Sequence, residues 1–432
     1  MTDNSDSPTD VVPDVGGAAG PQLPLRTVAE QLSRVLEAIG SVDPIELALL
    51  DAQGLLLAEQ VFADAPLPGF DSSAVDGYAV RAVDLTEASA DNPIVLPVVG
   101  DVMAGQRSAA GMGPGLCMRI VTGAPVPPGA DAVIPLEETD GGLARVAIRR
   151  SVRTGDCLRR AGEDLAAGAL ALGAGATLGP QQLALLAAVG HDRVVAQPRP
   201  RVVVISTGSE LVEVGKRPGF GEVTDCNSYL LAAAARDAGA DAYRVGIVPD
   251  DHARLLDLLD SQLSRSDLIV TTGGLGSGAS DIVKDTLTQL GSVEFTSIAM
   301  QPGSTHGFGT LGRDRTPIFC LSGNPVAALV SFEVFVRPAI RKLLGKRNVH
   351  RQNIQAIALE RMESREGSRE FRRGLLHREP DGRYSVSLVG GRGSHLVAAL
   401  AASNCLVIIE EDVTEVVPGS RVTVQPLMLA QR

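Results

Sequence analysis

The most constraining feature of the sequence is an alternation of strand-like and helix-like runs between residues 201 and 345. The strand-like runs are RVVVIS, DAYRVGIV and DLIVTTGG, and the helix-like runs that follow them are NSYLLAAAARDAG, DHARLLDLLDSQLSR and SDIVKDTLTQL. Strands that alternate with helices at this spacing predict a parallel sheet covered by helices on both faces. A last helix, over roughly 325–344, is predicted to begin at Asn324 and Pro325. The sequence therefore predicts a three-layer α/β domain.

The N-terminal part of the chain contains two contrasting segments. Residues 1–22 hold four Asp, no Lys or Arg, and many Gly, Pro and Ser residues. Such a segment cannot bury enough apolar surface to become ordered, so a disordered tail is predicted. Thr27 followed by Glu30 predicts a capping box, and the apolar residues that follow recur at helical spacing. A helix is therefore predicted over 27–39.

The chain is β-rich on both sides of the α/β domain. Between about 50 and 160, short runs such as IVLPVVGDV and ADAVIPLEE alternate with Gly and Pro, which predicts a compact β domain. A packing helix is predicted over 180–189, because Pro180 suits a first helical position. After residue 350, runs such as YSVSLV and CLVIIEE predict strands of a small β-barrel.

Composition excludes several classes of function. The net charge is −12, which disfavours sequence-independent nucleic-acid binding because that binding needs clustered positive charge. No apolar run reaches the ~18 to 20 residues of a membrane span. The first residues lack the basic and apolar regions of a secretory signal. Five scattered cysteines without metal-ligand spacing suggest reduced thiols. We therefore expect a cytoplasmic protein without nucleic-acid or membrane partners.

The glycine-rich run TTGGLGSGASD, at 271–281, carries the strongest binding signal. Ligands of parallel sheets bind beyond the carboxyl ends of the strands, which selects the loops 206–210, 249–251 and 272–281. Four glycines before a helix let backbone N–H groups converge on an anion, so we predict phosphate binding near Asp281 and Lys284. The run matches neither a Walker A nor a Rossmann fingerprint, and a turn without a ligand is the alternative.

Other motifs leave two interpretations open. STGSEL, at 206–211, follows a strand and offers hydroxyl groups at the sheet edge, with Glu210 as a metal ligand or base; an ordinary turn with a solvated glutamate is the alternative. Ser322, Gly323 and Asn324 precede the helix start at Pro325. That turn fits anion binding, but capping of the helix by Asn324 explains it equally well.

Eight motifs in fixed order resemble those of one family. They are PGFDSSAVDGYA, RIVTGAPVP, GEDL, STGSEL, TTGG followed by Asp and Lys, QPG, SGNPV and GSHL. From about residue 25 to the C-terminus, the chain resembles the molybdopterin molybdenumtransferase family, which includes bacterial MoeA and the E domain of gephyrin.

The resemblance implies an elongated homodimer of multidomain subunits. The implied parts are a discontinuous helical and extended domain (23–50 and 160–198), a β domain (51–159), an α/β domain similar to molybdopterin adenylyltransferase (199–346) and a C-terminal β-barrel (347–432). The implied reaction inserts molybdate into adenylated molybdopterin with Mg²⁺ and releases AMP. The implied partners also include molybdopterin adenylyltransferase and apo-molybdoenzymes.

The motifs and the resemblance together give the candidate site residues. The active site is expected in a cleft between subunits, where Asp76 faces the partner's nucleotide loops and is held by Phe70, Val75 and Tyr78. The candidate catalytic residues are Asp76, Thr122, Asp164, Glu210, Asp250, Asp251 and Asp281. The candidate substrate-binding residues are Ser206, Thr207, Gly208, Gly273, Gly274, Ser277, Gly278, Lys284, Pro302, Gly303, Ser304, Gly323, Asn324, Pro325, Arg373 and Ser394. Candidate Mg²⁺ ligands are Glu210, Asp250 and Asp281, since hard oxygen donors suit that ion.

The sequence departs from the family pattern in one subsite. QPGST, at 301–305, stands where the family has KPGKP, Ala327 replaces a serine, and the serine of the glycine-rich loop is shifted to Ser277. Two lysines of the molybdate pocket are thereby lost, and we expect His306 or the Arg372–Arg373 pair to compensate in part. Two hypotheses follow: an active molybdenumtransferase, or a divergent paralogue that binds adenylated molybdopterin as a carrier or scaffold without efficient metal insertion.

Overall fold

The computed structural model describes residues 24–106, 111–275 and 282–427. The chain divides into two compact units, one formed by Met1–Val42 with Arg199–Arg432 and the other by Asp43–Pro198. The tail predicted over 1–22 lies outside the described residues. No helix within the described ranges has the length and apolar character needed to cross a bilayer.

A seven-stranded sheet forms the α/β domain of the first unit. In spatial order its strands are Leu25–Arg26, Val293–Ile298, Thr305–Leu311, Thr316–Leu321, Leu268–Thr272, Arg201–Thr207 and Asp241–Val248. All neighbours are parallel except Thr305–Leu311, which runs antiparallel to the strands on both sides. Its sequence, THGFGTL, did not predict a strand because two glycines interrupt the apolar pattern.

Helices cover both faces of this sheet, as predicted. The helices of the first unit's α/β part are Val28–Ala38, Asn227–Ala238, His252–Leu263, Ile282–Gln289, Pro325–Ser331 and Arg337–Leu343, with a π-helical segment, Phe332–Val336, between the last two. Val202 and Val204 pack into one buried cluster with the helices Val28–Ala38 and Asn227–Ala238. Val203 and Ile205 point to the opposite face and pack against the helices His252–Leu263 and Ile282–Gln289.

The start of the first helix confirms the predicted capping box. Thr27 is the N-cap of Val28–Ala38, and its hydroxyl accepts a hydrogen bond of 3.2 Å from the backbone N–H of Glu30. The Glu30 carboxylate in turn accepts a 2.8 Å bond from the backbone N–H of Thr27. Two backbone donors at the helix start are thereby satisfied by local side chains.

A closed five-stranded β-barrel forms the C-terminal part of the first unit. Its strands are Ile354–Ala358, Arg369–Arg378, Tyr384–Leu388, Cys405–Ile409 and Arg421–Pro426. Closure is completed by the antiparallel pairing of Arg369–Arg378 with Cys405–Ile409. A short helix, Val397–Ala401, and a ribbon of Met362–Glu363 with Glu415–Val416 complete this part. The short strand Met300–Gln301 pairs with Arg369–Arg378, so the QPGST loop is anchored to the barrel.

The second unit contains two larger sheets. One has five strands, in the order Arg145–Ile148, Ile94–Val102, Cys117–Ile120, Gly77–Val80 and Ala132–Pro135. The other has Arg193–Gln197 between Ile45–Ala48 and Leu56–Leu57, and it packs with the helix Pro180–Ala188. Short pairings join Ser72–Ser73 to Leu158–Arg159 and Val61–Phe62 to Leu170–Leu172.

Candidate functional site

A cavity of about 570 Å³ lies in the first unit, beyond the carboxyl ends of Leu268–Thr272 and Thr316–Leu321. We call it the glycine-rich pocket. Nine candidate residues line it: Glu210, Gly273, Gly274, Pro302, Gly303, Ser304, Gly323, Asn324 and Ser394. The other lining residues are Leu275, Gln301, Thr305, Ser322 and Ala327. Residues from five separate motifs therefore meet at the sheet edge that the topology rule selected.

Two glycines shape the walls of this pocket by allowing close backbone approach. Gly273 has φ +102°, and a Cβ atom there would lie 2.2 Å from the carbonyl oxygen of Thr207. Gly303 has φ +91°, and its Cβ would lie 2.5 Å from the Ser331 hydroxyl oxygen. Any other residue would be strained in these conformations and would push a wall outward.

The STGSEL turn supports the pocket from the interior. Ser206 is completely buried, and its hydroxyl donates a 2.9 Å hydrogen bond to the Asp225 carboxylate. Thr207 is also buried, and its hydroxyl oxygen lies 3.4 Å from the Thr272 carbonyl oxygen. The prediction that these hydroxyls face a ligand at the sheet edge is therefore wrong. The backbone N–H of Gly208 donates to Val248, which joins this turn to the neighbouring strand.

The candidate acids of the α/β domain have different surroundings. Glu210 is exposed at the pocket, and within the described residues its carboxylate has no hydrogen-bond or ion-pair partner. Asp250 accepts a 3.0 Å bond from the backbone N–H of Ser209, whose hydroxyl accepts one of 3.0 Å from the Asp250 backbone. Asp251 caps the helix His252–Leu263 by accepting from Arg254. Asp251 is therefore held as a helix cap.

Three candidate residues, Ser277, Gly278 and Asp281, lie outside the described residues. Lys284 is half-buried in the first turn of Ile282–Gln289 and is absent from the pocket lining formed by the described ranges. Pro325 is the first residue of its helix, as predicted.

The helix start at Asn324 decides between the two interpretations of SGNP. Asn324 is the N-cap residue, but its side chain makes no capping hydrogen bond. The Ser322 hydroxyl instead accepts a 3.2 Å bond from the backbone N–H of Asn324. Capping by the Asn324 side chain therefore does not explain this motif, and the side chain is left at the pocket wall.

The described residues contain no cluster of three or more His, Cys, Asp or Glu side chains that would hold a metal ion on its own. A Mg²⁺ ion shared with substrate phosphates needs only one or two carboxylates from the protein. The exposed, unpaired Glu210 at the pocket fits that requirement. The donor set therefore suits Mg²⁺ that is bound together with a phosphate ligand.

A second cavity, of about 620 Å³, adjoins the glycine-rich pocket and shares Gln301, Pro302 and Ser304 with it. We call it the arginine-lined cavity. Its charged lining residues are Arg365, Arg372, Arg373, Arg392, Glu366 and Glu370. Four arginines against two glutamates make this cavity positive, although the chain as a whole carries −12. Glu210 is the one charged side chain that the described residues contribute to the glycine-rich pocket.

The two neighbouring arginines of this cavity differ in their bonding. Arg373 is buried, and its guanidinium donates to the carbonyl oxygens of Val389 at 3.4 Å, Gly393 at 2.9 Å and Gly391. Arg373 therefore holds the turn that leads to Ser394. Within the described residues, the Arg372 guanidinium has one polar contact, which is 3.5 Å to the Glu370 carboxylate. Burial lowers the pKa of both guanidinium groups.

His306 cannot supply the positive charge expected of it. Its side chain is completely buried between Phe319 and Phe335, with ring centroids at 6.1 and 4.8 Å. Within the described residues, neither ring nitrogen has a hydrogen-bond partner. Burial lowers the pKa of His306 to about 4, so the ring is neutral near pH 7. The predicted compensation by His306 is therefore wrong.

Two candidate residues of the second unit form a pair. Both the backbone N–H and the hydroxyl of Thr122 donate 2.7 Å hydrogen bonds to one carboxylate oxygen of Asp76. These bonds, with a smaller contribution from Arg119, hold the pKa of Asp76 below its usual value. Asp76 is exposed, so an ionised carboxylate is presented to solvent in a fixed orientation.

The loop around Asp76 is held by two of the three predicted residues, Tyr78 and Val75, but not by the third, Phe70. Tyr78 is completely buried and donates to the Gly142 carbonyl oxygen, and Val75 packs on a buried cluster. Phe70 is 51% exposed, so the prediction that it locks the loop is wrong. Asp71 takes this role, because it accepts from the Arg160 side chain and the Ala161 backbone.

Asp164 lies in the segment that begins at Arg160 and Ala161, both of which donate hydrogen bonds to Asp71. Its backbone N–H donates to the Leu67 carbonyl oxygen, and its side chain is exposed. The GED motif and the PGFD motif are thus neighbours in the second unit, which their separation in the sequence did not reveal.

Two polar residues at the sheet edge were missed by the sequence analysis. Asp225 is 2% exposed and accepts from Ser206 and Ser228. Asn227 donates to Thr272 and Gly323. The DCNS run that contains both overlaps the start of the predicted helix NSYLLAAAARDAG, and polar residues at a helix start do not by themselves indicate a site. Two polar side chains directly after a glycine-rich segment were the available signal.

Three family models match the chain in succession. They are the MoeA N-terminal region (domain I and II) over residues 26–190, the probable molybdopterin binding domain over 203–342, and the MoeA C-terminal region (domain IV) over 355–427. The matched segments follow the same order as the motifs and extend over both compact units.

Curated relatives and solved structures agree with these models. Molybdopterin molybdenumtransferase 1 of Mycobacterium tuberculosis is 44% identical over 419 residues, which cover 93% of this chain and 98% of the relative. Molybdopterin molybdenumtransferase of Haemophilus influenzae is 34% identical over 407 residues, with 93% and 98% covered. The crystal structure of the molybdopterin biosynthesis MoeA protein from Pyrococcus horikosii superposes with a TM-score of 0.79 at 29% identity, covering 94% of this chain and 99% of that one. The chain therefore belongs to the MoeA family.

Proposed function

We propose that this chain is a molybdopterin molybdenumtransferase, which inserts molybdate into adenylated molybdopterin and releases AMP during molybdenum cofactor biosynthesis. The observation that carries the proposal is the convergence of nine motif residues on one pocket, in a chain 44% identical to a curated molybdenumtransferase along almost its whole length. A carrier or scaffold would need the binding pocket but would have no use for an oxyanion subsite beside it.

The glycine-rich pocket is the proposed site for the pyrophosphate of adenylated molybdopterin. The turns at Gly273 and Gly323 bring backbone close to the ligand, as anion-binding turns at the ends of parallel strands do. Asn324 and Ser394 add polar side chains to the wall. Glu210, with Asp250 and Asp281, is proposed to hold Mg²⁺ against the pyrophosphate, where the ion would neutralise charge as AMP leaves.

Molybdate is proposed to bind where the two cavities meet. Gln301, Pro302 and Ser304 line both cavities, so an oxyanion there lies beside the pyrophosphate and within the positive field of the arginine-lined cavity. Arg372 is the proposed source of charge, because Arg373 is committed to three carbonyl oxygens. This assignment replaces the lysines that the family carries in its KPGKP loop.

The remaining parts of the proposal concern assembly and location. We propose a homodimer in which Asp76 and Thr122 of one subunit complete the pocket of the other, in the cytoplasm, with molybdopterin adenylyltransferase as supplier and apo-molybdoenzymes as recipients. The fixed, ionised Asp76 supports a role at such a site because its carboxylate keeps one oxygen free of hydrogen bonds from the described residues.

The test of the proposed function is AMP release from adenylated molybdopterin in the presence of Mg²⁺, with and without molybdate. We expect release that depends on molybdate and that falls when Glu210 is replaced by Gln. Tight binding of adenylated molybdopterin without release at any molybdate concentration would identify the carrier instead.

A further inference from the structure

Asn227 links two neighbouring backbone turns that line the glycine-rich pocket. Its side-chain amide donates one hydrogen bond of 3.0 Å to the Thr272 hydroxyl and another of 2.6 Å to the Gly323 carbonyl oxygen. The Thr272 hydroxyl donates onward to the Ser322 carbonyl oxygen at 2.8 Å. We call Asn227, Thr272, Ser322 and Gly323 the Asn227 network. Both amide hydrogens of Asn227 are therefore used within the protein.

The bonded groups belong to two turns that follow adjacent strands of the sheet. Thr272 ends a strand and leads directly into Gly273, whereas Ser322 and Gly323 form the turn before the helix at Pro325. A Cβ atom added to Gly323 would meet the Cα atom of Gly273 at 3.5 Å, so the two turns lie side by side with room for little more than one carbon atom between them. The hydrogen bonds of Asn227 to Thr272 and Gly323 therefore fix the distance between the two turns.

Asn227 is itself fixed to a third strand through Asp225. The Asp225 carboxylate is buried and accepts from the Ser206 hydroxyl at 2.9 Å and from the Ser228 backbone N–H at 3.1 Å. Arg244 approaches the same carboxylate at 3.4 Å. Since Asn227 lies between Asp225 and Ser228 in the chain, it cannot shift without breaking these bonds.

We propose that Asn227 is a positioning residue that sets the distance between the Gly273 and Gly323 turns and thereby the affinity for the pyrophosphate of the substrate. This inference rests on the proposed function, because it assumes that adenylated molybdopterin occupies the glycine-rich pocket. Asn227 acts through Thr272 and Gly323 and does not contact the ligand, since both of its donors are engaged. Small displacements of binding groups weaken phosphate recognition strongly, so the effect is expected on binding first.

The test compares binding and stability in four variants. Asn227→Ala is expected to raise the Kd for adenylated molybdopterin, measured by calorimetry, on the order of 10- to 100-fold. Thr272→Val removes the hydroxyl that Asn227 binds, and the double variant should bind no more weakly than the weaker single variant, because both changes break one network. Asn404→Ala is the matched control, since the Asn404 amide bonds the Leu376 backbone within the β-barrel. It should lower the melting temperature without changing Kd.

Two results would overturn the inference. One is an Asn227→Ala variant whose Kd is unchanged while its melting temperature falls as in Asn404→Ala; the other is a set of additive losses in the double variant. If Asn227→Ala does not fold, Asn227→Asp keeps the shape but loses both donors, and an unchanged Kd in that variant contradicts the proposal equally. The Kd does not depend on turnover, so wild-type protein that binds but never releases AMP would contradict the proposed function alone. Wild-type protein that does not bind adenylated molybdopterin would contradict both.

Discussion

Single residues of this chain show how local bonding decides which candidate side chains are available for chemistry. Arg372 and Arg373 are adjacent and both line the arginine-lined cavity. Among the described residues, however, Arg373 donates to three carbonyl oxygens, whereas Arg372 has one contact of 3.5 Å to Glu370. Ser206 and Ser304 were both expected at the ligand, yet only Ser304 reaches a pocket wall. Residue type alone did not distinguish the members of either pair.

Arg372 provides the first prediction. Arg372→Gln should raise the molybdate concentration at half-maximal AMP release by about 10-fold or more, because a hydrogen bond to a charged group contributes ~1.5 to 3 kcal/mol. The KM for adenylated molybdopterin should stay unchanged. Glu370→Gln is the matched control of opposite sign, since Glu370 is the buried carboxylate beside Arg372, and it should lower the half-saturating molybdate concentration. If Arg372→Gln and Glu370→Gln changed the half-saturating molybdate concentration in the same direction and by the same factor, Arg372 would not be the source of positive charge for molybdate.

Asp76 and Thr122 provide the second prediction, which concerns pH. The Thr122 hydrogen bonds hold the pKa of Asp76 low, so the carboxylate stays ionised as the pH falls. Thr122→Val removes the hydroxyl donor but keeps the backbone donor, so the acid limb of kcat/KM should move to higher pH. Asp76→Asn should lower kcat/KM on the order of 100-fold where Asp76 is ionised in wild type, and the difference should shrink as the pH falls along the acid limb. Thr122→Ser retains the hydroxyl and should leave the profile unchanged; a profile of Thr122→Val that matches wild type would argue against this role.

At the scale of elements, the strongly periodic helices and the three predicted strands of the α/β domain were accessible from the sequence. Val202 to Ile205 are all apolar, and the helices on each side of the sheet have one apolar stripe, so local patterns sufficed. The antiparallel strand Thr305–Leu311 was not accessible because it alternates glycine with polar and aromatic residues. The Ser206 side chain is buried because its hydroxyl donates to Asp225, which lies 19 residues away in the sequence. A local sequence pattern cannot indicate such a partner.

The turn at Gly273 gives the third prediction. Gly273→Ala should lower the free energy of unfolding by several kcal/mol, because a left-handed φ of +102° and a backbone contact at 2.2 Å both oppose a side chain. Gly291→Ala is the matched control, since Gly291 has φ +68° with nothing within 4 Å of a Cβ atom. It should cost only about 1 kcal/mol. Denaturant unfolding measures the loss of unfolding free energy in both variants. Similar losses would mean that the backbone at Gly273 can rearrange to accept a side chain.

His306, on the antiparallel strand, gives the fourth prediction. Its pKa is about 4 in the folded chain and near 6.5 when unfolded, so as the pH falls the unfolded state binds the proton first. The contribution of neutral His306 to the free energy of unfolding is therefore fully present above pH ~6.5. It is lost as the pH falls from 6.5 to 4, by about 3 kcal/mol in total. His306→Phe, which suits the neighbouring Phe319 and Phe335, should be more stable than wild type by a margin that grows over this pH range.

The control for this prediction is an exposed histidine of the barrel. His377→Phe should leave the pH dependence of unfolding as in wild type, because His377 is exposed to solvent in the folded chain. A constant difference in unfolding free energy between His306→Phe and wild type from pH 7 to pH 4 would mean that the buried ring does not resist protonation.

At the scale of the whole molecule, a locally positive cavity lies in a chain whose net charge is negative. An overall charge of −12 repels molybdate and a pyrophosphate alike, so the binding region must be positive locally. The arginine-lined cavity provides this field beside the QPGST loop, which contains no lysine. The sequence showed that this loop is uncharged, but it did not indicate which residues supply the charge, because Arg365, Arg372 and Arg392 converge only in the folded barrel.

We propose that this chain inserts molybdate through an oxyanion subsite that relies on arginines of the β-barrel. Single-turnover AMP release from adenylated molybdopterin with Mg²⁺ tests this proposal when molybdate is varied from micromolar to millimolar concentrations. We predict release that saturates with molybdate and that shifts to higher molybdate concentrations in Arg372→Gln. AMP release that is absent, or that is the same with and without molybdate, would contradict the claim.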